Sequence, residues 1–153
     1  MISKTLVVGL RRLMMIPATL LVMGINPSVG FAQNKLYSPI PLTPSTELSD
    51  TLSVKDIPTG QGGFGRDYML NLNKGDQLAI DLTSESFDAI ITLLGPNGAK
   101  VAENDDGPDG TSNSLLFTRI TETGNYIIRV MSFGETGVGK FKLNVRKLQE
   151  VKK

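Results

Sequence analysis

The chain has 153 residues, with 16 Lys+Arg against 15 Asp+Glu and neither cysteine nor histidine. Without cysteine it can form no disulfide, no thiolate nucleophile and no lipid-bearing thioether. Without histidine it lacks the commonest general base and transition-metal ligand, so Ser-His-Asp, Cys-His and histidine-based zinc chemistry are excluded.

In chain order, Lys4, Arg11 and Arg12 precede an apolar run from Leu13 to Met23, and no acidic residue occurs before Glu47. That charge asymmetry is the order of a secretory signal. The run is shorter than the ~20 residues a membrane helix needs, and Pro17 interrupts it, which argues against a stable membrane span. Gly30 and Ala32 flank Phe31 in the small-x-small pattern of a cleavage site, so residues 1–32 are expected to be a signal peptide cut after Ala32. The predicted location is secreted or periplasmic. Removing three basic and no acidic residues leaves 13 Lys+Arg against 15 Asp+Glu, a net charge of −2. Such a balance offers nucleic acid no counterion-releasing patch, and DNA and RNA are not expected partners. A chain of this size buries roughly two thirds of its unfolded surface and can fold without staples.

Residues 33–46 carry Pro39, Pro41 and Pro44 and are expected to be a Pro-rich linker. A folded domain is predicted over 47–147, followed by a polar tail at 148–153. Leu48, Leu52 and Val54 give a weakly alternating edge strand, and Gly60 to Gly65 a flexible connection. Tyr68, Leu70 and Leu72 alternate cleanly, Lys74-Gly75 turns, and Leu78, Ile80 and Leu82 repeat the pattern, which predicts a β-hairpin. Phe87 to Leu94 is apolar on both faces, as in a strand covered on both sides or at a sheet centre. Pro96-Asn97-Gly98 reverses the chain into Lys100 to Ala102. Further strands are expected at Leu115 to Ile120, at Tyr126, Ile128 and Val130, and at Phe141, Leu143 and Val145. Three strands share an aromatic-x-aliphatic-x-aliphatic face, suited to one common core. The fold class is therefore all-β: a β-sandwich, jelly-roll-like, of about seven or eight antiparallel strands, with a small β-barrel as the rival.

The segment from Asp67 to Val145 resembles the bacterial pre-peptidase C-terminal domain family. The resemblance is carried by ordered phrases: Tyr68-Met69-Leu70-Asn71-Leu72, Lys74-Gly75-Asp76, Phe87-Asp88, Pro96-Asn97-Gly98, Asn104-Asp105-Asp106, Gly124-Asn125-Tyr126 and Gly139-Lys140-Phe141. It implies a non-catalytic sandwich that accompanies secreted enzymes and in some relatives binds insoluble polymer or calcium. No protease domain accompanies it within these residues.

The densest polar cluster is Glu103 to Gly110, with Ser112 and Ser114 beyond it. Closely spaced oxygen donors on a glycine-containing loop suit Ca²⁺, with Asp105, Asp106, Asp109 and Asn104 the candidate ligands. The spacing is not that of an EF-hand, and a turn in which Asn and Asp cap their own backbone is the competing reading. Asp88 ranks below these acids. Carboxylate catalysis needs two acids about 5–10 Å apart with separated pKa values, and nothing in the spacing of Asp81, Glu85, Asp88 or Glu103 singles out such a pair. Tyr68, Tyr126 and Phe141 read as core, Tyr37 and Phe133 are less constrained, and Phe64 is the candidate exposed aromatic. Arg146, Lys147, Lys152 and Lys153 form a tail too short and mixed for a membrane signal. The expected function is an exported accessory or binding module for a secreted protein, polysaccharide or envelope surface. The alternatives are a maturation factor for a separately encoded peptidase and, remotely, a carboxylate-dependent hydrolase.

Overall fold

The computed structural model describes residues 37–60, 62–108, 110–134 and 136–149. The expected signal peptide and its cleavage point after Ala32 lie outside these residues. Among the described residues, ten strands form two sheets and no helix occurs: β1 (Ile40–Leu42), β2 (Thr46–Leu52), β3 (Ile57–Pro58), β4 (Phe64–Leu72), β5 (Gln77–Thr83), β6 (Ala89–Leu94), β7 (Lys100–Asn104), β8 (Ser114–Arg119), β9 (Gly124–Ser132) and β10 (Gly139–Leu148). Sheet A runs β1-β4-β9-β6-β7, with β3 also paired to β4, and sheet B runs β2-β10-β5-β8. Both sheets are open, which decides for a sandwich over the rival barrel.

Alternation supplies the core. Tyr68, Leu70 and Leu72 of β4, Tyr126, Ile128 and Val130 of β9, and Ala89, Ile91 and Leu93 of β6 bury one face of sheet A. Phe141, Leu143 and Val145 of β10 and Leu78, Ile80 and Leu82 of β5 bury the facing side of sheet B. The predicted aromatics do pack inward: the Phe141 ring stands edge-on to Tyr68 and Phe87, at centroid distances of 6.4 and 6.2 Å.

Several expectations are corrected. The Tyr68–Leu72 and Leu78–Leu82 segments do not form a hairpin, because β4 and β5 belong to different sheets. Their turn is pinned to sheet B instead: Gly75 N–H donates to the Ile120 carbonyl and Ile120 N–H to the Asp76 carbonyl, each at 2.8 Å. One apolar face per strand serves a hairpin and a sheet-to-sheet arch equally well, so the local pattern could not choose. The expected linker contains β1, paired in parallel with β4 (Ile40 opposite Tyr68), so not every strand is antiparallel. Pro41 is tolerated there because β1 is an edge strand. The chain then crosses to sheet B through Ser45, at φ 66°. The expected flexible Gly60–Gly65 connection is a tight loop between paired β3 and β4, closed by Thr59 N–H on the Gly63 carbonyl at 2.9 Å. Phe64 lies in β4, half-buried and packed on the core, rather than on an exposed loop. In β6 the outward Ile90 and Leu94 are only half-buried, so that strand is internal to its sheet but not covered on both sides.

Candidate functional site

The predicted acidic loop connects β7 of sheet A to β8 of sheet B. Asn104 Nδ2 donates to the carbonyls of Asp106 (2.6 Å) and Leu115 (2.8 Å), while the Asn104 carbonyl accepts from Ser114 Oγ at 2.7 Å. Leu115 N–H donates to the Asp106 carbonyl at 3.0 Å. The loop thus closes the upper part of the open β8 edge, where an exposed strand would otherwise present bare backbone groups. Asp105 and Asp106 lie beside this bracket, Asp109 lies outside the described residues, and Asp88 is exposed at the entry to β6. No group of three or more acidic side chains that could hold a metal ion occurs among the described residues.

Two networks that the sequence did not signal lie elsewhere. At the edge between the sheets, Arg66 donates to Asp50 (2.8 Å) and Asp56 (2.7 Å), and Tyr68 Oη donates to Asp50 at 2.8 Å. Burial pushes the Asp50 carboxyl upward, but bonds from Thr51 N–H, Tyr68 and Arg66 outweigh it and hold the pKa below the ordinary carboxylate value. On the outer face of sheet A, Arg129 grips Asp67 with two bonds of 2.7 Å, and Tyr37 donates its hydroxyl to the same carboxylate. Asp67 is only 3% exposed, so this pair is a structural clamp rather than a rim contact. Burial, then the bond to Asp67, pushes the Tyr37 phenol up to about 12. Gly65 makes the clamp fit, since a Cβ there would stand 3.1 Å from the Arg129 Cδ. Further along the same face, Glu103 accepts from Thr92 Oγ1 and Lys100 Nζ, each at 2.7 Å.

A different surface leaves most of its outward polar side chains uncommitted. At the end of sheet B remote from the Lys74–Gly75 turn, an open groove of about 890 Å³ runs over Ser49–Thr51, Thr83–Ser86, Thr111–Asn113 and Lys140–Lys142. Register sets its floor: Lys142 lies opposite Ser49 on one side and Thr83 on the other, and Lys140 opposite Thr51. Buried Ser84 holds the walls together. Its hydroxyl donates to the Lys140 carbonyl at 2.9 Å and accepts from Ser86 and Phe87 N–H, while Ser84 N–H donates to Asn113 Oδ1 at 3.1 Å. Gly139, at φ 144°, lies so close to Ser86 that a Cβ would fall 2.3 Å from the Ser86 Cβ. Only glycine lets β10 start against that wall.

Among the described residues, the hydroxyls of Ser49, Thr51, Thr83, Ser86 and Ser112 make no hydrogen bond, and Lys140 and Lys142 join no ion pair. Of the two carboxylates that line the groove, Asp50 is engaged by Arg66 and Tyr68, and the exposed Glu85 joins no ion pair among the described residues. Composition could have suggested hydroxyl-rich strands, but only pairing in register brings residues 49, 83 and 142 into one row.

Residues 66–132 match the family of the bacterial pre-peptidase C-terminal domain. Among solved structures, the fold is similar to the pre-peptidase C-terminal domain of a collagenase from Bacillus anthracis. That likeness has a TM-score of 0.58 and 14% identity, and covers 74% of this chain and 99% of that one. Weaker likenesses link it to PliG, a periplasmic inhibitor of g-type lysozyme. The Salmonella Typhimurium protein gives a TM-score of 0.48 at 16% identity, covering 72% of this chain and all of that one. The Aeromonas hydrophila protein gives 0.46 at 16%, covering 71% and 100%. No curated protein matches the chain.

Proposed function

Residues 66–132 make this chain a member of the bacterial pre-peptidase C-terminal domain family, and from that premise we propose that it is an exported, non-catalytic accessory module that holds polymeric material in the sheet B groove. The observation that carries this reading is the contrast inside the groove itself. Its frame is locked by Ser84 and Gly139, yet its hydroxyls and both lysines are uncommitted. A rigid frame with unspent donors is what binding without chemistry requires, since pre-organised groups lose little freedom when a ligand arrives. Catalysis finds no support there: Asp50 is consumed by Arg66 and Tyr68, which leaves Glu85 without a second free carboxylate to work with.

The test is to fill the groove. Ser49→Trp and Thr83→Trp place large side chains on exposed positions of its floor. Co-sedimentation with cell-envelope material and secreted polymer is expected for the unaltered chain and lost in both variants. Equal retention by all three proteins would defeat the reading.

A second reading, a maturation factor for a separately encoded peptidase, is favoured by the outer face of sheet A, where Met69, Ile90, Leu94, Ile127 and Met131 stay half-buried. Such residues suit the core of a protein interface. A stable complex with one secreted peptidase, broken by Ile127→Lys and untouched by the groove variants, would establish it in place of the first.

Calcium is the lesser element of the proposal. Asp105 and Asp106 would hold the ion with Asp109, adding to the closure that Asn104 already makes between β7 and β8.

A further inference from the structure

We infer that the sheet B groove is selective for an acidic polysaccharide, a glycan bearing carboxylates, through Lys140 and Lys142 seated among its serine and threonine hydroxyls. This rests on the reading of the groove as a binding site and names its ligand class. Four features carry it.

The first is charge. The outward positions of sheet B bear Lys140, Lys142, Arg146 and Arg119, set against Glu47 and Asp81, and in the groove lining itself the two lysines face one free carboxylate, Glu85, with Asp50 already engaged, which leaves an uncommitted charge of +1. Arg146 is taken by Asp81 at 2.7 Å, whereas Lys140 and Lys142 are without partners among the described residues. A cationic strip on a domain of net negative charge is complementary to a polyanion, and low-dielectric groove walls concentrate its field. The second is hydrogen-bond chemistry. Each of the five uncommitted hydroxyls can both donate and accept, which matches the hydroxyl-covered rim of a sugar ring.

The third is what the groove lacks. Its one aromatic, Phe141, is 2% exposed and faces the core, so no ring is available for stacking against a neutral, flat glycan. The fourth separates glycan from acidic peptide. Peptide recognition draws on apolar anchors in desolvated pockets, and the groove offers no exposed apolar side chain to receive one. The groove is also an open depression rather than an enclosed cavity, so a ligand need not be a small molecule that fits inside it.

Binding is to be measured by affinity electrophoresis and calorimetry on the whole exported chain with polygalacturonate, a neutral β-glucan and poly-glutamate. Polygalacturonate alone is expected to bind, and a rise in salt from 50 to 500 mM to weaken it. Lys140→Ser with Lys142→Ser should weaken it at least tenfold without moving the unfolding midpoint. Lys74→Ser, at the opposite end of sheet B, should leave it unchanged. Equal binding of poly-glutamate, tighter binding of the neutral glucan, or equal loss in the Lys74 variant would each overturn the inference. So would failure of all three polymers to bind. None of these results touches the broader reading, which stands or falls on the tryptophan variants against envelope material.

Discussion

The two outward faces of this sandwich spend their charges in opposite ways. On sheet A, Asp67 meets Arg129 and Glu103 meets Lys100 and Thr92, with Met69, Ile90, Leu94, Ile127 and Met131 half-buried on the same face. On sheet B, Lys140 and Lys142 stand in a row with Ser49, Thr51 and Thr83 and are paired with nothing among the described residues. Sheet B also pairs Arg146 with Asp81, but it keeps these two ammonium groups outside any pair. The commitments of the two faces differ: a buried carboxylate already gripped by a guanidinium is part of the fold, and an ammonium without a partner is free to meet a ligand.

Breaking the clamp on sheet A should produce the largest effect. Asp67→Ala leaves Arg129 half-buried without its partner and should lower unfolding free energy by about 3 kcal/mol in urea titration. Lys142→Ser should change it by less than about 0.5 kcal/mol, as a surface substitution without contacts does. If the two costs came out equal, the distinction between the faces would collapse.

Asn104→Ala sharpens the comparison at the seam between sheets, because it removes both donors that bracket β8 to the β7 loop. A loss of about 1–2 kcal/mol is expected, with faster amide exchange at Leu115 as the local marker.

Acid should act on the paired carboxylates. Asp50, Asp76 and Glu103 all have pKa values held below the ordinary ones: Asp50 against its own burial, Asp76 chiefly by Lys147, Glu103 chiefly by Lys100 and Thr92. Lowered folded-state values mean stability that is complete above the unfolded pKa, about 4, and lost as pH falls through the folded value. The unfolding midpoint should therefore fall below about pH 4, and Asp50→Asn should make that fall shallower. A midpoint indifferent to pH between 5 and 2 would contradict the assignment.

The smallest effect is calcium. An ion bound at the affinity of extracellular modules adds about 1 kcal/mol at millimolar concentration, a rise of a few degrees in the midpoint after chelator treatment. Asp105→Ala with Asp106→Ala should abolish the rise. An unchanged midpoint removes calcium from the proposal.

The core was legible in the sequence because burial has a period of two, and Tyr68, Tyr126 and Phe141 with their aliphatic followers announce it without reference to any neighbour. Pairing was not legible, because a strand's alternation is the same whichever partner it takes. The Lys74-Gly75 turn therefore read as a hairpin, when contacts with Ile120, some 45 residues away, send the chain across to the other sheet. The prolines of 39–44 suggested a linker for a related reason. A missing N–H forbids a central strand but not an edge, and being at an edge is a property of the whole sheet.

The candidate sites divide on the same ground. Chain order alone put Asn104, Asp105 and Asp106 on one loop, since neighbours in sequence are neighbours in space. Residues 49, 83 and 142 became one row only when β2, β5 and β10 paired in register, and Asp67 became a clamp only when β4 met β9. The sequence by itself determined an all-β core without cysteine or histidine. Tertiary structure decided which polar groups satisfy one another and which are left for a ligand, because that choice depends on distances between strands far apart along the chain.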